Sequence, residues 1–338
     1  MTEQYSRKID IYTHVLTGKY YDALCKLVST ESFGGRMVRI FRSLFDLEER
    51  FRVMDRFPGL QQVITLSSPP LEGFTDVNKA VEFAKLANDE MAELVSKYPD
   101  RFITAVATLP LNNIEASMKE LDRTIKDLKF RGIQLNTPIN DRSVDSPEYL
   151  PIYEKMSQYN LPIWIHPYRE RTYADYRTEK TSLYNIFWAF GWPYETSVAM
   201  SRLAYSGILD KFPNLKIITH HCGGMIPYFQ SRLTNSNQGY LTSTYGTGFN
   251  NGLTKSPLEY FKMFYADTAV GKSATLTCGL QFFGVDHVLF GTDMPYDQQL
   301  GDRLIRETIN AIEEMELSAD DKYKIYEGNA KQLLRLPL

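Results

Sequence analysis

An α/β fold, with a parallel sheet closed as a (β/α)8 barrel, is what this sequence predicts, and three observations predict it. Short runs rich in Val, Ile and Phe recur eight times along the 338 residues. Stretches with apolar residues near 3.6 spacing separate most of them. Four of the five histidines fall at the carboxyl ends of predicted strands, where such barrels build their sites. A doubly wound open sheet is the rival, and it lacks a GxGxxG after any strand.

The elements follow in order. The first strand, Lys8–Val15 (KIDIYTHV), alternates so that Asp10, Tyr12 and His14 share one face and Ile9, Ile11 and Thr13 the other. Residues 17–58 are long and neither cleanly strand nor helix, and are expected to form an insertion on the face where the site is built. Strands are expected at 61–66, 102–108, 132–135, 162–166, 215–220, 263–268 and 287–291. Helices are expected at 76–97, 114–128, 149–159, 196–209 and 303–315. A last helix starts at Ser318-Ala-Asp-Asp321, a capping box with Asp in place of Glu. The chain, 1–338, reads as one barrel domain carrying the 17–58 insertion.

Bulk properties narrow the function classes. The composition is 43% hydrophobic with 22 Tyr, 19 Phe and 3 Trp, which suits a packed globular core. A net charge of −3 with interspersed signs gives no basic footprint for nucleic acid and no polybasic membrane anchor. No run approaches the roughly 20 apolar residues of a membrane span. Three cysteines, Cys25, Cys222 and Cys278, form neither a disulfide framework nor a CxxC knuckle. The opening MTEQYSRKID lacks an apolar signal core, and a cytoplasmic protein is expected.

The strand ends carry the chemistry. His14 ends the first strand, His166 the fifth, His220 and His221 the sixth, and Asp293 follows the eighth. Imidazole and carboxylate suit Zn²⁺ and also Mn²⁺, and a catalytic site takes about three protein ligands while leaving a position open. His14, His166 and Asp293 fit that set. A remaining histidine is free for acid–base work. Alternation lets only one of His220 and His221 face the centre, and the pattern does not choose between them. His287 begins a strand and reads as structural.

In this order and spacing, KIDIYTH, RFITAVATLPL, FRGIQLNT, LPIWIHP, KFPNLKIITHHCGGMIPYFQSRL, FYADTAV, VLFGTDMPY and EGNAKQLL resemble the amidohydrolase-related family that includes aminocarboxymuconate semialdehyde decarboxylase and γ-resorcylate decarboxylase. The resemblance implies a distorted TIM barrel with a divalent metal held by His14, His166 and Asp293; from the ligand types, zinc is expected first and manganese second. The HxGG block matches His221-Cys222-Gly223-Gly224, which selects His221 as the catalytic histidine beside Asp293. Trp188 matches an aromatic substrate-pocket position. Tyr12 departs from the family, which usually has His there, or Glu in some aromatic-acid decarboxylases. It is a pocket wall or hydrogen-bond donor to substrate, a phenolate ligand, or the mark of a weakened metal site. An acid substrate needs a cation: Arg36, Arg39 and Arg42 in the insertion, and Arg169 after His166, are candidates, with Arg39 and Arg169 taken as substrate-binding. The resemblance implies decarboxylation of an aromatic or muconate-like carboxylic acid by a homodimer. Metal-dependent hydrolysis of a C–C, ester or lactone bond, and a non-catalytic acid-binding paralogue, are the alternatives.

Overall fold

The computed structural model describes residues 7–235 and 253–337; the polar opening residues 1–6 fall outside them. Eight parallel strands run in sequence order: β1 (Lys8–Val15), β2 (Leu60–Leu66), β3 (Phe102–Ala105), β4 (Ile133–Thr137), β5 (Pro162–Pro167), β6 (Lys216–Thr219), β7 (Tyr265–Asp267) and β8 (Val288–Leu289). They form a three-stranded and a five-stranded sheet. Two seams close these into a barrel. At one, Ala107 pairs with Ile133 and Gln134 N–H donates to the Ala107 carbonyl at 2.8 Å. At the other, Ile11 N–H donates to Phe290, His14 N–H to Met294 and Asp293 N–H to Tyr12, at 2.9, 2.9 and 3.0 Å. The short β7 and β8 and these loose seams make it a distorted barrel.

Two apolar layers hold it. Inside, Val63, Val106, Trp164, Ile218 and Leu289 pack with Ile9, Ile11 and Tyr12 of β1, and Ala330, Leu333 and Leu334 of the C-terminal helix join them. Asn329 of that helix donates to the carbonyls of Val285 and Val288 at the start of β8, so it plugs the barrel's amino end. Trp164 crosses the interior and donates to the Ile11 carbonyl at 3.0 Å. A Cβ on Gly132 would lie 2.4 Å from that indole, so only glycine fits there. Outside, the helices Val77–Lys97, Ile114–Lys126, Leu150–Tyr159, Gly191–Tyr205 and Asp302–Glu313 bury their apolar faces against the strands. Asp76, Asn113 and Ser318 cap their helices by accepting backbone N–H groups, and Ser318 does so from Asp321, which is one half of the expected capping box.

Two expectations need correction. The even alternation of β1 fails, because a β-bulge shifts its register between Asp10 and Thr13. Ile9 and Ile11 therefore share the interior with Tyr12, while Asp10 turns to Thr292. Residues 17–58 are not irregular: they hold the helices Gly18–Leu27, Phe33–Ile40 and Leu47–Met54. Buried Arg50 fastens this layer to the barrel, donating to the carbonyls of His14 and Ser43 and to Gln62 Oε1 at 2.7, 3.1 and 2.8 Å. No helix among the described residues is long and apolar enough to cross a membrane.

Candidate metal centre and active-site cavity

At the carboxyl end of the barrel, ligand atoms of His14, His166, His220 and Asp293 all lie within 4.8 Å of one another. Asp293 Oδ1 is 3.2 Å from both His14 Nε2 and His220 Nε2, and its Oδ2 is 3.6 Å from His221 Nε2. The three expected ligands thus converge, and the structure adds His220 to them.

Neighbouring strands orient two of these rings, His14 and His220. Thr65 on β2 donates to the Thr13 carbonyl, so its oxygen accepts from His14 Nδ1–H at 2.9 Å. That assigns the tautomer and leaves a lone pair on Nε2, aimed at the centre. Asp267, at the carboxyl end of β7, accepts from His220 Nδ1 and from the backbone N–H groups of Cys222 and Ala269 at 2.9 and 3.0 Å. His14 Nε2, His166 Nδ1 and His220 Nε2 are buried with no hydrogen-bond partner. Orphaned imidazole nitrogens facing one carboxylate are what a divalent ion satisfies; the donor set fits such an ion.

Charge follows the same geometry. Burial, reinforced by the neighbouring histidines, holds His166 well below the usual imidazole range, so it is a neutral donor. Burial also lowers His14. Burial opposes a charge on His220, but Asp267 and Asp293 outweigh it and push its imidazole up to about 9. Burial opposes ionisation of Asp293 too, yet the charge on His220, with the imidazoles of His14 and His221 close by, holds its carboxyl well below the ordinary range.

His220 and His221 do not alternate, because β6 stops at Thr219. His220 is extended, and His221, Cys222, Gly223 and Gly224 then take φ of 51°, 53°, 77° and 61°. This left-handed turn brings both imidazoles to the barrel mouth. It depends on its glycines: a Cβ on Gly224 would meet the Pro193 carbonyl oxygen at 2.5 Å.

Tyr12 lies under this cluster. Its ring stacks on His220 with centroids 3.7 Å apart, and its hydroxyl donates to the Ile165 carbonyl at 3.1 Å. It is fully buried, and burial followed by Asp267 and Asp293 keeps it a neutral phenol. The expectation that it contacts substrate is therefore not met.

Above the centre opens a cavity of about 680 Å³ whose walls include Phe33, Phe41, Tyr168, Trp188, Trp192 and Tyr296, with His221 and Asp293 at its base. Trp188 is on the wall as expected, half exposed. The two arginines are not. Arg39 donates to the carbonyls of Gly35, Cys25 and Val28, and so ties the insertion helices together. Arg169 pairs with Glu195 and lies over the Tyr173 ring. Arg36 and Arg42 are likewise engaged locally, with the Glu31 carbonyl and Asp46. Among the described residues, the cations lining the cavity are Lys272 and Arg303, and Arg303 pairs with Glu307 at 3.1 Å. His287 Nδ1–H donates to the Phe264 carbonyl at 3.0 Å and the ring stacks on Tyr265, away from the cavity.

Asp267 is the main residue the sequence reading missed. It ends a strand, the signal that found the histidines. Ser67, directly after β2, and Tyr296, whose hydroxyls are 2.5 Å apart beside the cavity, are further residues the sequence did not single out.

Comparison with known proteins gives a consistent result. A family model described as amidohydrolase matches residues 9–336. The γ-resorcylate decarboxylase of Polaromonas sp. (strain JS666) is 32% identical over 304 residues, 87% of this chain and 89% of that relative. The 2-amino-3-carboxymuconate-6-semialdehyde decarboxylase of Dictyostelium discoideum is 28% identical over 98% of this chain and 92% of its own. The solved 5-carboxyvanillate decarboxylase of Novosphingobium aromaticivorans, complexed with manganese and 4-hydroxy-3-methoxy-5-nitrobenzoic acid, superposes with a TM-score of 0.83 at 27% identity, covering 99% of this chain and 97% of that one.

Proposed function

This chain belongs to the amidohydrolase family, and from that premise we propose that it is a metal-dependent decarboxylase of a hydroxylated aromatic or muconate-like carboxylic acid. The observation that carries this reading is the convergence of His14, His166 and Asp293, with His221 beside them, at the base of an aromatic-walled cavity. His14, His166 and Asp293 hold the ion. Manganese in the solved relative, and a mixed imidazole–carboxylate donor set that accepts either metal, support manganese ahead of zinc.

A divalent ion held by these residues would supply Lewis-acid polarisation of an acid substrate. The protein does the rest. Loss of CO2 breaks the bond between the substrate carbon and its carboxyl group, leaves the electron pair on that carbon, and requires one proton there. His221 delivers that proton, because its ring lines the cavity with Nε2 3.6 Å from Asp293 Oδ2. Phe33, Phe41, Trp188 and Trp192 sandwich a planar substrate and exclude water. Lys272, in place of the arginines first considered, faces a second polar group on the substrate. Sparse, free cysteines support a reducing compartment, the cytoplasm.

The test is CO2 release from 2,6-dihydroxybenzoate, 5-carboxyvanillate and aminocarboxymuconate semialdehyde, with ester and vinylogous-acid substrates in parallel. CO2 should be released from at least one acid, cease on chelation and return with manganese. Hydrolysis without CO2 release from any acid would overturn the reading.

A further inference from the structure

Position 12 is where this chain leaves the family pattern, and position 220 is where it has an imidazole beyond the one in the HxGG block. The two side chains are in contact. We propose that His220 is a ligand of the metal centre, taking over the coordination position that the family gives to residue 12, and that Tyr12 is the platform that holds it there. The proposal rests on the metal-dependent reading above.

Four observations carry it. His220 is fully buried, with Nε2 3.2 Å from Asp293 Oδ1 and no hydrogen-bond partner of its own. A buried polar nitrogen left in that state is costly, and an ion between it and the carboxylate removes the cost. Its other nitrogen is bound by Asp267, the carboxylate–histidine arrangement that orients metal-binding imidazoles. His221 lacks that support: its Nδ1 has no hydrogen-bond partner, and its side chain is 21% exposed toward the cavity. Finally, the Tyr12 ring lies 3.7 Å from His220 at an interplanar angle of 12°, and its hydroxyl is committed to the Ile165 carbonyl. While it keeps that bond, Tyr12 fixes the imidazole plane without donating to the centre.

The donor count explains the exchange. A strand-one pair plus one imidazole from β5 and one carboxylate from β8 makes four donors in the family pattern. Here β1 gives one donor and β6 gives another, and the total of four is kept. A purely structural His220–Asp267 pair explains the buried ion pair but not the ring's second nitrogen, aimed at Asp293 among His14 and His166.

Metal content and manganese binding, followed by the electron-spin signal of free Mn²⁺, test this without relying on turnover. Wild type should bind about one ion per chain. His220→Ala and the size-conserving His220→Gln should weaken binding by at least about tenfold. Tyr12→Phe should bind within about threefold of wild type, since it keeps the stacked ring. The double variant Tyr12→His/His220→Ala, which returns the ligand to β1, should recover most of the loss. Binding by both His220 variants within twofold of wild type would overturn the proposal while leaving the metal-dependent reading intact. No ion in wild type would overturn that reading itself. Should His220→Ala not fold, His220→Gln alone decides, by the same tenfold and twofold limits.

Discussion

The carboxyl ends of β1 and β6 contribute imidazoles to the same centre by opposite means. β1 is a full strand paired with β2 and bridged at the seam to Met294, bulged once, and its single imidazole is locked by Thr65 while Arg50 holds its backbone carbonyl. β6 stops early, and a left-handed turn offers two adjacent imidazoles, one buried and one partly exposed. What separates the holding His14 and His220 from the proton-moving His221 is the second ring nitrogen. Those of His14 and His220 are fixed by Thr65 and Asp267, whereas His221 has no such anchor and faces the cavity.

The largest expected effect comes from removing what the two ends share. Asp293→Ala takes away the carboxylate that His14, His220 and His221 all approach. Metal content should fall to near zero by elemental analysis, with activity lost alongside it. Retention of full metal would sever the link between the ends.

His221→Asn separates the two imidazoles of β6. Metal content should stay at the wild-type level while turnover drops by about 10²–10⁴-fold, the usual scale of general acid–base catalysis. Loss of metal instead would place His221 among the holding residues.

On β1, Thr65→Val removes the acceptor for His14 Nδ1–H and keeps its volume. Metal affinity should weaken by about 10–100-fold, as for other residues that orient a ligand. An unchanged dissociation constant in a manganese titration would mean that the β1 ring is positioned by packing alone.

The smallest effect is on stability. Asp10, on the bulged side of β1, accepts from Thr292 N–H and Oγ, with Arg50 near; burial nonetheless pushes its carboxyl up to about 7. In the unfolded chain it titrates near 3.9. Between those values the folded protein holds a proton that the unfolded chain has released, so this group's contribution to stability falls as pH rises from about 4 to 7. Asp10→Asn removes that slope. The stability of wild type relative to the variant should therefore be lower at pH 8 than at pH 5 in urea unfolding; an equal difference at both would contradict the assignment.

Much of this was legible because two rules are strict. Strand–helix alternation with short apolar runs finds a barrel, and barrels place polar strand-end residues together, which found His14, His166 and Asp293. What could not be read has local causes. Nothing in KIDIYTH marks the bulge that puts Ile9 and Ile11 on the same side as Tyr12. The choice between His220 and His221 assumed that β6 continues through them, and a run of positive φ angles ends it first. Arg39 and Arg169 looked available because charge in a loop is visible in sequence, while the carbonyls and the Glu195 carboxylate that engage them are not. Asp267 could have been found by the strand-end rule alone.

Anomalous diffraction from manganese-loaded crystals tests the central claim most directly. One peak per chain is expected, within coordination distance of His14, His166, His220 and Asp293, with the Tyr12 hydroxyl still on the Ile165 carbonyl. A peak ligated by Tyr12 instead of His220, or one lying away from Asp293, would contradict it.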